Sequence, residues 1–157
     1  MVVNTVKATT GGCHCGQVRY KLDAGSEPMF GLICHCSNCK KLSGSQMMCA
    51  SVYSKSHFTV NKGEPAQYAD TQTDSGKPAT RYFCPKCGSQ LYCTMAFNEK
   101  LVIVFSGSLD EEFSRKWKPN KGKMRRATLD SQGNSLLTSW TQSNTFVGKQ
   151  THCQTFV

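Results

Sequence analysis

The sequence predicts an all-β domain with one short helix, and three observations lead to this prediction. Apolar and polar residues alternate over short segments, as where Val18, Tyr20 and Leu22 alternate with charged residues. Such alternation is typical of a strand with one buried face. Gly, Pro, Ser and Asp separate these segments at short intervals, which is the spacing of strands and turns. The length of 157 residues favours one domain with a modest core.

The strands are predicted in order from their apolar segments and the turn residues between them. The candidates are residues 18–22, 29–33, 47–53, 57–60, 66–71, 80–83, 90–94 and 101–105. The helix is predicted over residues 37–43, where Ser37 can cap the start and Gly44 the end. Cys39 then lies in the first turn of this helix.

Residue 110 marks a change in composition, which predicts a body at 1–110 and an extension at 111–157. The body has eleven basic and seven acidic residues, and the extension has eight and three. Seven of the basic residues of the extension lie between 115 and 126 without an acid, and Ser, Thr, Gln and Asn are frequent beyond them. This composition predicts partial disorder. Basic clusters without stacked aromatic residues are more typical of a solvated segment than of a nucleic-acid interface.

The sequence also indicates a compartment. Residues 1–10 lack a charged segment followed by an apolar one, and the apolar run at 101–105 is far too short to span a bilayer. We therefore expect a soluble, cytoplasmic protein that does not enter a membrane. In a reducing compartment, ten cysteines at Cys-x-Cys and Cys-x-x-Cys spacings favour metal binding over disulfides.

Seven of the cysteines form three short motifs, which supply two, three and two thiolates. Cys84 and Cys87 have zinc-knuckle spacing, and Cys13 with Cys15 is the natural second pair for one closed site. The alternative for Cys84 and Cys87 is a reactive dithiol, although no βαβ pattern surrounds them. Because four thiolates around zinc form a structural site, this four-cysteine cluster (Cys13, Cys15, Cys84 and Cys87) predicts a zinc ion that stabilises the fold.

The remaining motif forms a three-cysteine cluster (Cys34, Cys36 and Cys39), one ligand short of a closed tetrahedron. A zinc ion with three protein ligands keeps a position for water or substrate and can act as a Lewis acid. We therefore expect two zinc ions per chain, the second at a reactive centre. A fourth ligand could still close this site, and the candidates are Cys49, Cys93, His35 and His57. Cys49 and Cys93 are otherwise expected to be small buried apolar residues, and His14 and His35 to point away from the metal. Cys153 is expected to have no role.

The motifs together resemble the glutathione-dependent formaldehyde-activating enzyme family, which includes the centromere protein V-like proteins. The resemblance spans about residues 11–110 and rests on GCHCGQVRY at 12–20, CHCSNCKKLSGS at 34–45, RYFCPKCGS at 81–89 and GSLD at 107–110. It implies an Mss4-like fold of stacked, mostly antiparallel sheets. It also implies a structural zinc on the four-cysteine cluster and a second zinc on the three-cysteine cluster.

Three functions are compatible with these features. The resemblance implies a carbon–sulfur lyase that joins glutathione and formaldehyde as S-hydroxymethylglutathione, or acts on another thiol adduct. A second interpretation uses the open zinc as a Lewis acid on a different small carbonyl compound or thioether. A third is a non-catalytic module, stabilised by zinc, whose basic extension binds nucleic acid or another acidic partner.

Overall fold

The computed structural model describes residues 7–73 and 76–119, and the backbone of two strands further along. It contains eleven strands, β1 to β11. Their bounds are Thr9–Gly12, Arg19–Leu22, Phe30–Cys34, Met48–Ser54, Phe58–Lys62, Ala66–Asp70, Ala79–Phe83, Gln90–Met95, Asn98–Phe105, Arg125–Leu129 and Ser135–Ser139. Two α-helices, α1 at Ser37–Ser43 and α2 at Glu111–Ser114, and two short 3₁₀ turns at Lys55–His57 and Ser106–Ser108 complete the described elements.

The strands form three sheets in which all the pairs are antiparallel. The first sheet has the order β1-β2-β5, the second has the order β3-β4-β9-β8-β7-β6, and β10 pairs with β11. The all-β prediction is therefore confirmed. The finer Mss4-like designation stays a prediction.

All eight strand candidates correspond to strands, with ends that differ by three residues or fewer. β1 was not predicted, because its sequence Thr-Thr-Gly-Gly has no alternation of apolar and polar residues. The helix α1 has the expected bounds and ends at Gly44. Its cap is different from the prediction, since the Cys36 side chain, rather than that of Ser37, accepts the hydrogen bond from the Cys39 backbone N–H.

The six-stranded sheet buries side chains on both faces, which positions the two cysteine clusters. One face packs against the first sheet through Tyr20, Tyr92 and Val104, and the Phe58 and Tyr92 rings are 4.6 Å apart. Cys13 and Cys84 belong to this core. The four-cysteine cluster therefore lies at the edge of the main core.

The registers of the same sheet place a second group of side chains on its other face. Cys34 pairs with Met48, and Ala50 pairs with Phe105. Further along the sheet, Cys93 pairs with both Ile103 and Arg81. Directly paired residues lie on one face of an antiparallel sheet, as do residues two apart on one strand. A smaller apolar cluster, built on Met48, Ala50, Cys93 and Phe105, forms on this face together with Cys39 of α1.

The segment after residue 110 begins on the body of the protein. Asp110 accepts hydrogen bonds from Thr10 and Arg19, and the Trp117 indole N–H donates to Ser51 Oγ at 2.7 Å. The stretch 111–157, for which the composition predicts partial disorder, contains α2 and the β10–β11 hairpin. The rest of that prediction concerns residues 120–124, 130–134 and 140–157, which lie outside the described residues. The domain boundary at 110 stays a prediction.

Among the described residues, no helix has the length and the apolar character needed to cross a membrane.

Candidate metal centre and adjoining cavity

Two loops that are distant in sequence bring the four-cysteine cluster together. Cys13 and Cys15 lie in the β1–β2 loop, and Cys84 and Cys87 lie in the β7–β8 loop. The four sulfurs all lie within 4.8 Å of one another. The cluster thus lies between the first sheet and the six-stranded sheet, and its four members are those that the cysteine spacing grouped together.

The sulfur spacing fits a tetrahedral zinc ion. A zinc–sulfur bond of about 2.3 Å requires sulfurs about 3.8 Å apart, and Cys15 Sγ lies 3.5 Å from Cys13 Sγ and 3.7 Å from Cys84 Sγ. Cys13 Sγ also accepts the Val18 backbone N–H at 3.2 Å. The hydrogen bond from the Ser89 hydroxyl, together with the Ser89 backbone N–H, lowers the pKa of Cys87 to about 5. These contacts favour thiolates at Cys13 and Cys87, and the thiolate is the form that binds metal.

The three-cysteine cluster is built at the junction of β3 and α1. Cys34 ends β3, Cys36 caps α1, and Cys39 lies in the first turn of the helix. The three sulfurs lie within 4.8 Å of one another, and each of the three residues is half-buried. One short segment therefore supplies three convergent ligand atoms, as the spacing predicted.

The hydrogen bonds within the three-cysteine cluster concentrate negative charge on Cys36. Its sulfur lies 3.4 Å from Cys34 Sγ and accepts the Cys39 backbone N–H at 3.3 Å. Hydrogen bonds with Cys34 and then with Cys39 lower the pKa of Cys36 to about 2. The same contacts, with Cys34 first, raise the pKa of Cys39 well above the usual range of a thiol. These contacts favour the thiolate form of Cys36, which is the form that binds metal.

In the described part of the chain, no further His, Cys, Asp or Glu ligand atom lies within 4.8 Å of all three sulfurs. Of the candidates for closing the site, His57 is exposed and lies 3.3 Å from Asp23. Cys49 is half-buried, one position along β4 from Met48 and so on the opposite face. His35 and His14 belong to neither cluster. Cys153 lies outside the described residues.

Cys93, the remaining candidate for a fourth ligand, lies beside the three-cysteine cluster without joining it. Its side chain is buried, as expected for a small apolar residue, and it lines the same cavity as the three-cysteine cluster. Its sulfur is not grouped with the other three. A position on the cavity side of the cluster is therefore left without a protein ligand among the described residues.

The three-cysteine cluster opens onto a cavity of about 300 Å³. Helix α1, five strands of the large sheet and the β6–β7 loop contribute to its lining. The polar side chains in this lining, other than the cysteines, are Asn38, Thr73 and Arg81. The cavity gives a small molecule access to the side of the cluster that has no fourth ligand.

A buried ion pair lies at this cavity, and sequence reasoning did not single it out. Arg81 donates to Asp70 Oδ2 through Nε at 2.9 Å and Nη2 at 2.7 Å, and the two side chains are only 8% and 7% exposed. Burial lowers the pKa of Arg81, but the hydrogen bonds to Asp70 and the nearby negative charges together raise it above its ordinary value. The sequence did contain one sign of this pair. Arg81 lies two residues from Ala79 on β7, so the alternation along the strand places it on a buried face.

The sequence comparison decides the family. The sequence model of the glutathione-dependent formaldehyde-activating enzyme family matches residues 8–128. The chain belongs to this family. The match includes all seven cysteines of the two clusters and extends beyond residue 110, where the composition changes.

One relative agrees with this assignment by its name, and one solved structure agrees with the fold. A protein of Halomonas elongata that carries the family's name is 28% identical over 107 residues, which are 67% of this chain and 68% of the relative. A crystal structure of a Rhodobacter sphaeroides protein matches with a TM-score of 0.51 and 23% identity, and covers 65% of this chain and 88% of that protein. At this identity, the second likeness concerns the fold alone.

Proposed function

We propose that this chain is a zinc-dependent carbon–sulfur lyase that forms and cleaves the adduct between glutathione, or a similar thiol, and a small carbonyl compound. The name of the matched family supports glutathione and formaldehyde as the substrate pair. The observation that carries the proposal is the three-cysteine cluster, which opens onto a cavity and has no fourth ligand among the described residues.

The proposal includes two zinc ions with different roles. The four-cysteine cluster would hold a structural ion, since its four thiolates complete a tetrahedron. The three-cysteine cluster would hold the second ion. When bound there, zinc supplies a Lewis acid that favours the thiolate form of an incoming thiol.

The side chains around the cavity have separate tasks in this reaction. The carbon–sulfur bond forms when the thiol sulfur attacks the carbonyl carbon, and the carbonyl oxygen then takes up the proton that the thiol released. Arg81 can donate a hydrogen bond to this oxygen while negative charge develops on it. Asp70 holds the guanidinium in place through two hydrogen bonds to one oxygen. Cleavage is the same sequence in reverse, so that no oxidant or reductant is needed.

The same open cluster supports a second catalytic candidate, in which zinc acts on a different small carbonyl compound or on a thioether. The two candidates differ in whether free glutathione enters the site. The third interpretation, a binding module with a basic extension, depends mainly on residues outside the described part of the chain. Within that part, Arg115 at the start of the basic segment pairs with Glu111, which leaves it less available to an acidic partner.

We also propose a cytoplasmic location, because the nine cysteines at described positions are all free thiols and both clusters require reduced sulfur.

Metal analysis tests the site assignment. We expect two zinc ions per wild-type chain and about one in Cys39→Ser, since two remaining thiolates bind zinc weakly. Cys49→Ser is the matched control, because Cys49 is also half-buried but belongs to neither cluster. Its zinc content should be that of the wild type. Wild-type protein with fewer than two zinc ions would contradict the proposal.

Titration with glutathione tests the function. In cobalt-substituted protein, glutathione should change the metal's absorption spectrum, because a new sulfur ligand enters the coordination shell. The zinc protein should form the formaldehyde adduct faster than the spontaneous reaction, and Cys39→Ser should not. A spectrum that glutathione leaves unchanged, together with an adduct rate equal to the spontaneous one, would refute the thiol-adduct reaction.

A further inference from the structure

We propose that the carbonyl substrate is larger than formaldehyde and carries a hydrocarbon group, alkyl or aryl, that occupies the cavity beside the three-cysteine cluster. This inference rests on the proposed function, with glutathione as the thiol. It concerns only the second substrate, so that it can fail while the glutathione reaction stands.

The size of the cavity is the first observation. Formaldehyde has two heavy atoms and occupies about 30 Å³, close to the share of one water molecule in the liquid. The cavity measures about 300 Å³, which lies at the lower end of the range for small-molecule sites. A formaldehyde molecule would leave most of this space to water or empty.

The chemistry of the wall is the second observation. Its apolar part consists of side chains from four neighbouring strands: Leu32, Met48, Ala50, Met95, Ile103 and Phe105. They converge because the strand registers place them on one face of the sheet. Water against such a wall has few hydrogen-bond partners, so that an apolar ligand group is favoured there.

The polar groups of the lining are mostly engaged, which argues against placing the peptide part of glutathione in this space. Arg81 donates to Asp70 through Nε and Nη2, which leaves donors for one carbonyl oxygen but not for two carboxylates, and the Asn38 side-chain amide donates to the Gln72 carbonyl at 2.5 Å. Thr73 also has an interaction partner. Glutathione carries two carboxylates and an ammonium group, and burying them without partners would cost more than leaving them in water. The peptide therefore extends towards solvent, and the cavity receives the substituent on the carbonyl carbon.

The geometry of the site agrees with a peptide in solvent and a carbonyl substituent in the cavity. The sulfur of the thiol must reach the three-cysteine cluster, and the carbonyl oxygen can face Arg81, which pairs with Cys93 across β7 and β8. The hydrocarbon group on the carbonyl carbon then faces the remaining wall, which is apolar. The reaction is still the addition of sulfur to carbon with transfer of the thiol proton to oxygen. A hydrocarbon group therefore changes which substrate the site prefers, but not the stoichiometry of the reaction.

Ligand binding to the zinc-loaded protein tests this inference without relying on turnover. Hexanamide and formamide resemble the corresponding aldehydes but do not react with thiols, and calorimetry measures their affinity. We expect hexanamide to bind at least about tenfold more tightly, because burying a few methylene groups is sufficient for that difference. The kcat/KM values for formaldehyde, butanal, hexanal and benzaldehyde with glutathione should follow the same order of preference.

A polar substitution of similar shape tests the wall itself. Leu32→Asn should reduce the preference for hexanamide over formamide by about threefold or more. Leu101→Asn is the matched control, because Leu101 is also half-buried in the same sheet but does not line the cavity. It should keep the wild-type preference. The wild-type comparison needs no variant, so that a poorly folded Leu32→Asn protein does not remove the test.

The outcomes separate this inference from the proposed function. Equal or tighter binding of formamide, with formaldehyde as the preferred aldehyde, overturns the inference but leaves the glutathione reaction standing. A preference for hexanethiol over glutathione with no preference among the aldehydes also overturns it, since the hydrocarbon group would then belong to the thiol. If glutathione leaves the cobalt spectrum unchanged and no aldehyde reacts, the proposed function fails as well.

Discussion

The buried ion pair between Asp70 and Arg81 allows a stability prediction that can be worked out from the structure. Asp70→Asn removes the negative charge but keeps the size of the side chain. Arg81 remains charged in this variant, because the guanidinium group of arginine is not deprotonated in proteins. Both side chains are less than a tenth exposed, so water cannot readily replace the lost partner. Leaving a buried charge without its partner destabilises a protein by about 3–5 kcal/mol.

This loss is large compared with the whole stability of a small domain, which is about 5–15 kcal/mol. With a urea m-value of about 2 kcal/mol/M, the unfolding midpoint should fall by roughly 2 M. The assay is urea unfolding followed by circular dichroism, at one fixed concentration of free zinc, since bound metal adds to the apparent stability. Glu111→Gln serves as the control, because it breaks an exposed ion pair with Arg115 and should change stability by no more than about 0.5 kcal/mol.

Two results would refute this reasoning. A midpoint shift for Asp70→Asn no larger than that of Glu111→Gln would show that water screens the pair. Additive losses in a cycle with Arg81→Met would show that the two side chains are not coupled, whereas the buried pair predicts that the double variant loses less than the sum of the single variants.

Three further predictions concern other parts of the fold. Both Gly63 and Gly25 have positive φ angles, but a Cβ atom would overlap a backbone oxygen only at Gly63; Gly63→Ala should therefore cost about 1–3 kcal/mol more than Gly25→Ala in urea unfolding. The hydrogen bond from Arg19 lowers the pKa of Asp110 below 3.8, so its stabilising contribution is complete above that pH and is lost as the pH falls through the lowered pKa; the stability difference between wild type and Asp110→Asn should shrink in acid. Cys84→Ser should lower the melting temperature far more than loss of a ligand from the three-cysteine cluster, because only the four-cysteine cluster joins two sheets.

The strands that could be predicted from the sequence are those whose alternation reports burial directly. β2 is an example, since its buried Tyr20 and Leu22 alternate with polar residues. β1 could not be predicted in this way. Its Gly11 has no side chain, and a Cβ atom there would overlap the Tyr20 ring of the neighbouring strand. The strand exists because its backbone pairs closely with β2, and that is a tertiary contact.

The candidate metal site was predictable to the extent that it is local. Cys34, Cys36 and Cys39 are separated by so few residues that a strand end followed by one helical turn brings their sulfurs together. Whether a fourth residue reaches them is a different question. Cys93 is 54 positions from Cys39 along the chain, and the register of β8 against β9 determines its distance from the cluster.

The sequence by itself determined the all-β class, the family and the grouping of seven cysteines into a set of four and a set of three, because short motifs and alternation act over a few residues of chain. Only the tertiary structure decided what surrounds the three-cysteine cluster: an apolar wall, the buried Arg81–Asp70 pair and no fourth ligand among the described residues. The physical reason is that several strands of the sheet bury both of their faces. Alternation then cannot tell which buried side chain faces the core and which faces the cavity, and only the pairing of distant strands settles it.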